Sequence, residues 1–284
     1  MMNFETTTAA QAYRKVLAAL MLKPNSHTVR GLSMFSEICG ASIHIKDASS
    51  LDVDITARKA SQVYQYCEAL WDMSPTTEIW ILEKFNKNIR RFVSDQDEGQ
   101  QERAAWGYGP TVYKALPIMV EELKSDPYSR RAVFTMSRNR DIKGTPPCLV
   151  AMQFVHRNGF LDAFVYMRSN DAWLGLPLDI FQFGLMQNVV AGALGYALGS
   201  YHHFVGSLHV YERDIAGIKR VLETTPQEPE QRPCIELGPK AYNDVQTGQL
   251  GIDLMNVANG LAAPATSGFY PYLKTMQEAL RGKA

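Results

Sequence analysis

At 284 residues the chain is long enough to bury a substantial core, and it reads as one domain spanning 1–284. Its 29 basic and 29 acidic side chains cancel to a formal net charge of zero, so no whole-surface field draws it to nucleic acid or to an anionic membrane. Four widely spaced cysteines (Cys39, Cys67, Cys148, Cys234) with no Cys-x-x-Cys pair indicate neither a disulfide framework nor a zinc site, and fit a reducing cytoplasm.

No basic segment leading into an apolar core opens the chain, so no secretory signal is expected. Ala9 to Leu22 has helical spacing of apolar residues (Tyr13, Val16, Leu17, Leu20) and stops before Pro24. Ser33 to Ile45 alternates and is punctuated by glycine, which predicts strands. Ala57 to Trp71 and Thr77 to Phe92 are predicted helices, the second with Thr76 or Thr77 as N-cap. The polar segment Ser94 to Arg103 reads as an exposed loop, and Val112 to Leu123 as a helix carrying Pro117. From Ala132 the pattern changes to short apolar runs: Ala132–Met136, Leu149–His156 and Phe160–Met167. The last two flank Arg157-Asn158-Gly159, and an Asn-Gly pair between strand-like runs is a strong hairpin signal because both residues tolerate positive φ. The apolar run Leu178–Leu198 contains Asp179, Gln182, Gln187 and Asn188, so it reads as a buried helix and not a membrane span. Tyr201 to Val210 is a predicted return strand, Thr224 to Pro233 a surface connection, and a terminal helix follows Tyr270. Helices and strands that do not alternate as regular βαβ units predict an α+β fold.

The chemistry concentrates in Pro146-Pro147-Cys148 and Arg168-Ser169-Asn170-Asp171, followed by Leu174-Gly175-Leu176-Pro177-Leu178-Asp179. A cysteine nucleophile needs a nearby positive charge to hold its thiolate, and the guanidinium fork of Arg168 supplies one while also suiting a bidentate anion. Local sequence alone equally allows Cys148 to be a buried structural cysteine. It likewise allows Asp179 to be an acid complementing a helix dipole, and Glu78 to be an exposed residue of a first helical turn. The six histidines give no acyl-transfer arrangement.

These motifs, from Ser129 to Tyr211, resemble the thymidylate synthase superfamily. The resemblance implies a mixed β-sheet packed by helices, with the sheet face forming a homodimer interface. It implies that Cys148 attacks C6 of a pyrimidine nucleotide monophosphate, and that 5,10-methylenetetrahydrofolate is the co-substrate, with no metal. Arg30, Arg130, Arg131 and Arg168 with Ser169 would clamp the phosphate, Arg130 and Arg131 reaching into the other subunit's site. Glu78 would organise water and proton transfer, and Tyr108 would lie beside the cysteine. His209 and Tyr211 would bind the sugar 3′-hydroxyl, and Asp171 the folate pterin. Where synthases present an asparagine to uracil, this chain has Asp179, which resembles the deoxycytidylate hydroxymethylase branch. A carboxylate accepts from the cytosine amino group but opposes the uracil O4 with a second acceptor. The expected product is 5-hydroxymethyl-dCMP, made in the cytoplasm, that of the host if the chain is phage-encoded, and destined either for phage DNA modification, as in many relatives, or for a secondary metabolite. A uracil-directed hydroxymethylase or synthase is the nearest rival, and a catalytically silent nucleotide binder belongs to a different class. Departures from the family pattern are Leu149, Met167 and Ser207, the polar terminus Arg281-Gly282-Lys283-Ala284, and a stretch from 81 to 105 without tryptophan.

Overall fold

The computed structural model describes the chain apart from residues 23, 30, 93–106, 137–145, 227–230, 233–234 and 283–284. In chain order its elements are β1 (Met2–Thr6), α1 (Ala9–Leu22), β2 (His27–Val29), β3 (Leu32–Ile45), β4 (Asp52–Val53), α2 (Gln62–Trp71), α3 (Ile79–Glu83) and α4 (Gly109–Ser125). There follow β5 (Val133–Thr135), β6 (Leu149–Arg157), β7 (Phe160–Asp171), α5 (Gly175–Leu194), β8 (Ala197–Tyr211), α6 (Ile215–Glu223), β9 (Gln231–Arg232), α7 (Pro239–Gln246), α8 (Gln249–Ala258) and α9 (Tyr270–Arg281). The architecture is the predicted α+β class. The chain forms two compact units, Met1–Ala60 with Cys148–Gln187 and Ala197–Ile235, and Ser61–Pro147 with Asn188–Tyr196 and Glu236–Ala284.

The first unit is built on a mixed sheet in which β1, β3, β8, β7 and β6 are successive neighbours, with β2 on β3. β1 runs parallel to β3, β3 antiparallel to β8, β8 parallel to β7, and β7 antiparallel to β6. The β6–β7 turn is the one the Asn-Gly pair predicts: Asn158 and Gly159 have φ of 52° and 87°, and Arg157 pairs with Phe160. Alternation then sorts the sheet faces. Leu161, Ala163, Val165 and Met167 of β7, with Tyr201, His203 and Val205 of β8, are buried. The opposite face carries a ladder of rings, with His44 and Phe164 stacked on either side of His202 at 4.3 and 4.5 Å, and Tyr166 on Phe204 at 5.0 Å. Against the sheet, α1 buries the stripe Tyr13, Val16, Leu17 and Leu20.

Parallel β7 and β8 cannot be joined by a hairpin, and α5 is the crossover. Residues 181–190 are buried on every side of the helix, among them Phe181, Phe183, Met186 and Val190 and the polar Gln182, Gln187 and Asn188. In the second unit α2 packs with α3, α8 and α9, while α7 packs with α4 and α8. Among the described residues no helix is long and apolar enough to cross a membrane.

Several boundaries differ from those expected. Ser33–Ile45 lies in one 14-residue strand. The helix expected from Ala57 begins at Gln62, because Lys59 takes φ of 55° and Ser61 caps α2 by accepting from the Tyr64 N–H at 3.2 Å. The helix expected over Thr77–Phe92 shortens to α3, since Asn86 Oδ1 accepts from the Asn88 N–H at 3.1 Å and turns the chain. Its N-cap position is Glu78, and Thr76 Oγ1 instead accepts from the Glu78 N–H at 3.2 Å. The long helix starts at Gly175, ahead of Asp179. Ser94–Arg103 lies outside the described residues, as does part of Thr224–Pro233.

The hairpin turn makes a direct prediction. A valine at Gly159 must adopt a left-handed conformation, so Gly159→Val should cost about 1–3 kcal/mol of stability, read from the urea midpoint, with Gly159→Asn costing less.

Candidate active site

The β6–β7 register brings the nucleophile candidate to the arginine. Leu149 pairs with Met167, and the Arg168 N–H donates to the Cys148 carbonyl at 2.9 Å. Pro147 is buried and Cys148 half-buried, so a stiff segment delivers a thiol that solvent still reaches. The β7–β8 register sets Ser169 beside Ser207 and Asp171 beside His209. His209 and Tyr211 meet edge to face at 5.1 Å, as alternate residues on one strand face do. Around them, the Ser207 hydroxyl donates to Glu37 Oε1, and His27 Nε2 lies 3.4 Å from the other Glu37 oxygen.

Asp171 turns β7 into α5. Its Oδ1 accepts from the Trp173 and Leu174 N–H groups at 2.9 and 3.0 Å, while Arg213 approaches Oδ2 at 3.9 Å. This turn is held from behind by a buried arginine that no sequence motif announces. Arg58 Nη2 donates to the carbonyls of Trp173 and Leu174 at 3.1 and 3.4 Å, and its Nε to the Tyr13 hydroxyl at 3.1 Å. Beside Asp171, Asp214 has its carboxyl pushed up to about 6, first by burial and then by the Asp171 charge.

Half-buried Asp179, on the first turns of α5, accepts on both carboxylate oxygens. Asn170 Nδ2 donates to its Oδ2 at 2.7 Å and Gln182 Nε2 to its Oδ1 at 2.9 Å. The Asn170 oxygen faces His203 Nε2 at 2.8 Å, and His203 Nδ1 faces the Tyr201 hydroxyl at 3.0 Å. Asn170, Gln182, Tyr201 and His203 are all buried. Gly175 makes room for this arrangement: a Cβ there would stand 3.1 Å from Asn170 Nδ2 and 3.4 Å from Asp179 Oδ2. Of these partners Gln182 had a signal in the sequence, standing one helical turn from Asp179, whereas His203 and Tyr201 look like ordinary residues of a buried strand.

Glu78, Tyr108, Arg130 and Arg131 belong to the second unit. Glu78 sits at the start of α3 and Tyr108 at the start of α4, its N–H donating to Asp72 Oδ1 at 2.9 Å. Arg130 and Arg131 are exposed, and Arg131 Nε donates to Glu122 Oε1 at 2.9 Å. The Ser129 hydroxyl, at 2.5 Å, and then that pairing hold the Glu122 carboxyl below the usual range. Arg30 lies outside the described residues. Among the described residues no cluster of metal-ligating side chains occurs.

Burial pushes His203 down to about 3 from an ordinary 6.5, so it is neutral in the folded protein. The unfolded chain takes up this proton below 6.5, so the stability tied to the neutral ring is complete above that pH. It is lost as pH falls from 6.5 toward 3. In His203→Leu the slope of unfolding free energy against pH in that window should shrink by about 1.4 kcal/mol per pH unit, measured by urea titrations.

Over 236 residues the chain is 28% identical to a deoxyuridylate hydroxymethyltransferase of Bacillus phage SP01. It is 32% identical over 114 residues to a thymidylate synthase of Ascaris suum, and 29% over 153 residues to one of Listeria monocytogenes serotype 4b (strain CLIP80459). These alignments take in 75%, 39% and 52% of this chain and 60%, 39% and 48% of the relatives, so the chain spans three fifths of their length or less. The model of the family described as thymidylate synthase matches residues 13–261, and the chain belongs to that family.

Proposed function

We propose that the protein transfers a one-carbon unit from 5,10-methylenetetrahydrofolate to C5 of dCMP and then adds water, giving 5-hydroxymethyl-dCMP and tetrahydrofolate. The observation that carries the base assignment is Asp179, a half-buried carboxylate with an amide donor on each oxygen. Donors of that kind favour the ionised form, which offers only acceptors and suits the cytosine amino group and a protonated N3. Support for hydration over reduction comes from the similarity to a hydroxymethyltransferase. The stretch without tryptophan adds little to this, since Trp80 and Trp106 bound it.

The thiolate of Cys148, held by the Arg168 charge, adds to C6 and pushes electron density onto C5. The folate supplies the electrophilic methylene carbon, and Asp171, whose Oδ2 is not used by the turn, suits the N–H edge of a pterin. C5 attacks the methylene carbon, and loss of the C5 proton expels the folate amine and leaves an exocyclic methylene. Water adds to that methylene with Glu78 as base, and expulsion of the Cys148 sulfur from C6 restores the ring. No hydride moves, so the folate leaves unoxidised. Arg168, Ser169, Arg30, and Arg130 and Arg131 of a second subunit bind the phosphate, and His209 and Tyr211 the sugar. The half-open ring ladder of Phe164, Tyr166, His202 and Phe204 suits a homodimer interface. A uracil-directed enzyme is the second reading, favoured by the deoxyuridylate in the phage relative's name.

Mass-resolved turnover of dCMP and dUMP, with dihydrofolate absorbance followed in parallel, tests the proposal. Hydroxymethylated dCMP without dihydrofolate is expected, and methylated dUMP with dihydrofolate would contradict it. Asp179→Asn should lower kcat/KM for dCMP relative to dUMP by roughly 10- to 100-fold, or about 1–3 kcal/mol of discrimination. Mixing inactive Cys148→Ala with an inactive Arg130→Glu/Arg131→Glu variant should restore activity by creating one intact site in each heterodimer. Failure to restore it after verified subunit exchange would remove the shared arginines.

A further inference from the structure

The chain of hydrogen bonds behind Asp179 has a direction, and its far end decides which. An ionised carboxylate can only accept, so Asn170 must present Nδ2 to Asp179 and its oxygen to His203. An amide oxygen cannot donate. His203 Nε2 therefore carries the proton, and its Nδ1 lone pair takes the Tyr201 O–H.

The opposite direction is also chemically complete over most of its length. A protonated Asp179 would donate to a turned-over Asn170 amide, whose nitrogen would donate to His203 Nε2, and Nδ1–H would point at the tyrosine oxygen. That arrangement fails at Tyr201. The residue is fully buried, and among the described residues its hydroxyl has no hydrogen-bond partner other than His203, so its proton would be orphaned. A buried donor without an acceptor loses its hydration with nothing in return. Burial keeps the imidazole neutral and the phenol protonated, so neither ring escapes the choice by gaining or losing a proton.

We propose that Tyr201 and His203 are positioning residues that set the direction of this chain and thereby hold Asp179 as an ionised acceptor for the exocyclic amino group of cytosine. This rests on the cytosine reading above and extends it two residues further from the substrate. Both act on Asp179 through the Asn170 amide. Gln182 reinforces the same state by donating to the second carboxylate oxygen.

Two measurements on the full-length protein test it. Nitrogen-15 NMR of histidine-labelled protein near neutral pH, with His203 assigned by its absence in His203→Gln, should show the Nε2–H tautomer. The Nδ1–H tautomer would overturn the proposal. In Tyr201→Phe, which keeps the ring but removes the deciding proton, the ratio of kcat/KM for dCMP over dUMP should fall by roughly tenfold. An unchanged ratio in a folded variant would also overturn it, because a purely structural tyrosine would lower both substrates equally. If the wild-type protein shows the Nε2–H tautomer but turns over only dUMP, the cytosine assignment falls while the direction of the chain stands.

Discussion

The parallel pairing of β7 with β8 is the constraint on which the candidate site depends. Two parallel neighbours require a crossover, and the crossover here is a helix buried on all sides, which fixes where its first turns emerge. β7 ends in Arg168, Ser169, Asn170 and Asp171, and α5 begins only a few residues later, so Asp179 returns to the Asn170 side chain. The antiparallel partner β6 then carries Cys148 to Arg168, and the end of β8 carries Ser207, His209 and Tyr211 alongside Ser169 and Asp171. Parts of the chain separated by dozens of residues meet because one strand order allows it.

Within that frame the site keeps polar groups in the core at considerable risk to stability. Asn170, Gln182, His203 and Arg58 are buried, and each would destabilise the fold if left unpaired. The Arg58 fork gathers the carbonyls of the 173–174 turn, and the Tyr201–His203–Asn170 series ends on a carboxylate. A network satisfied in one direction only is also one that specifies a single arrangement. On the cytosine reading proposed above, that rigidity is the useful property. A mobile carboxyl free to gain a proton could serve either base.

Much of the frame was legible from local rules. Asn158-Gly159 announced the hairpin because both residues accept positive φ, and Ala9–Leu22 announced α1 through its period. Cys148, Arg168 and Asp179 stood out as residue types with chemistry at family spacing. Less was legible where a tertiary contact overrides the local pattern. The apolar spacing of Thr77–Phe92 looked like one helix, but the Asn86 side chain competes for the backbone and ends it early. Strand β1 gave no signal, being only 5 residues long and stabilised by parallel pairing with β3. Tyr201, His203 and Arg58 were invisible for another reason: their partners are distant in sequence, and nothing about a histidine in a strand says which way its proton points.

The nucleophile and the base preference meet in one experiment. A fluorine at C5 cannot leave as a proton does, so a nucleotide carrying it should stall after the one-carbon unit has joined C5, with the Cys148–C6 bond intact. Intact-mass and peptide analysis of protein incubated with methylenetetrahydrofolate and either 5-fluoro-dCMP or 5-fluoro-dUMP should find the adduct on Cys148 and preferentially from the cytosine analogue. An adduct from the uracil analogue alone, or none on Cys148, would contradict the account.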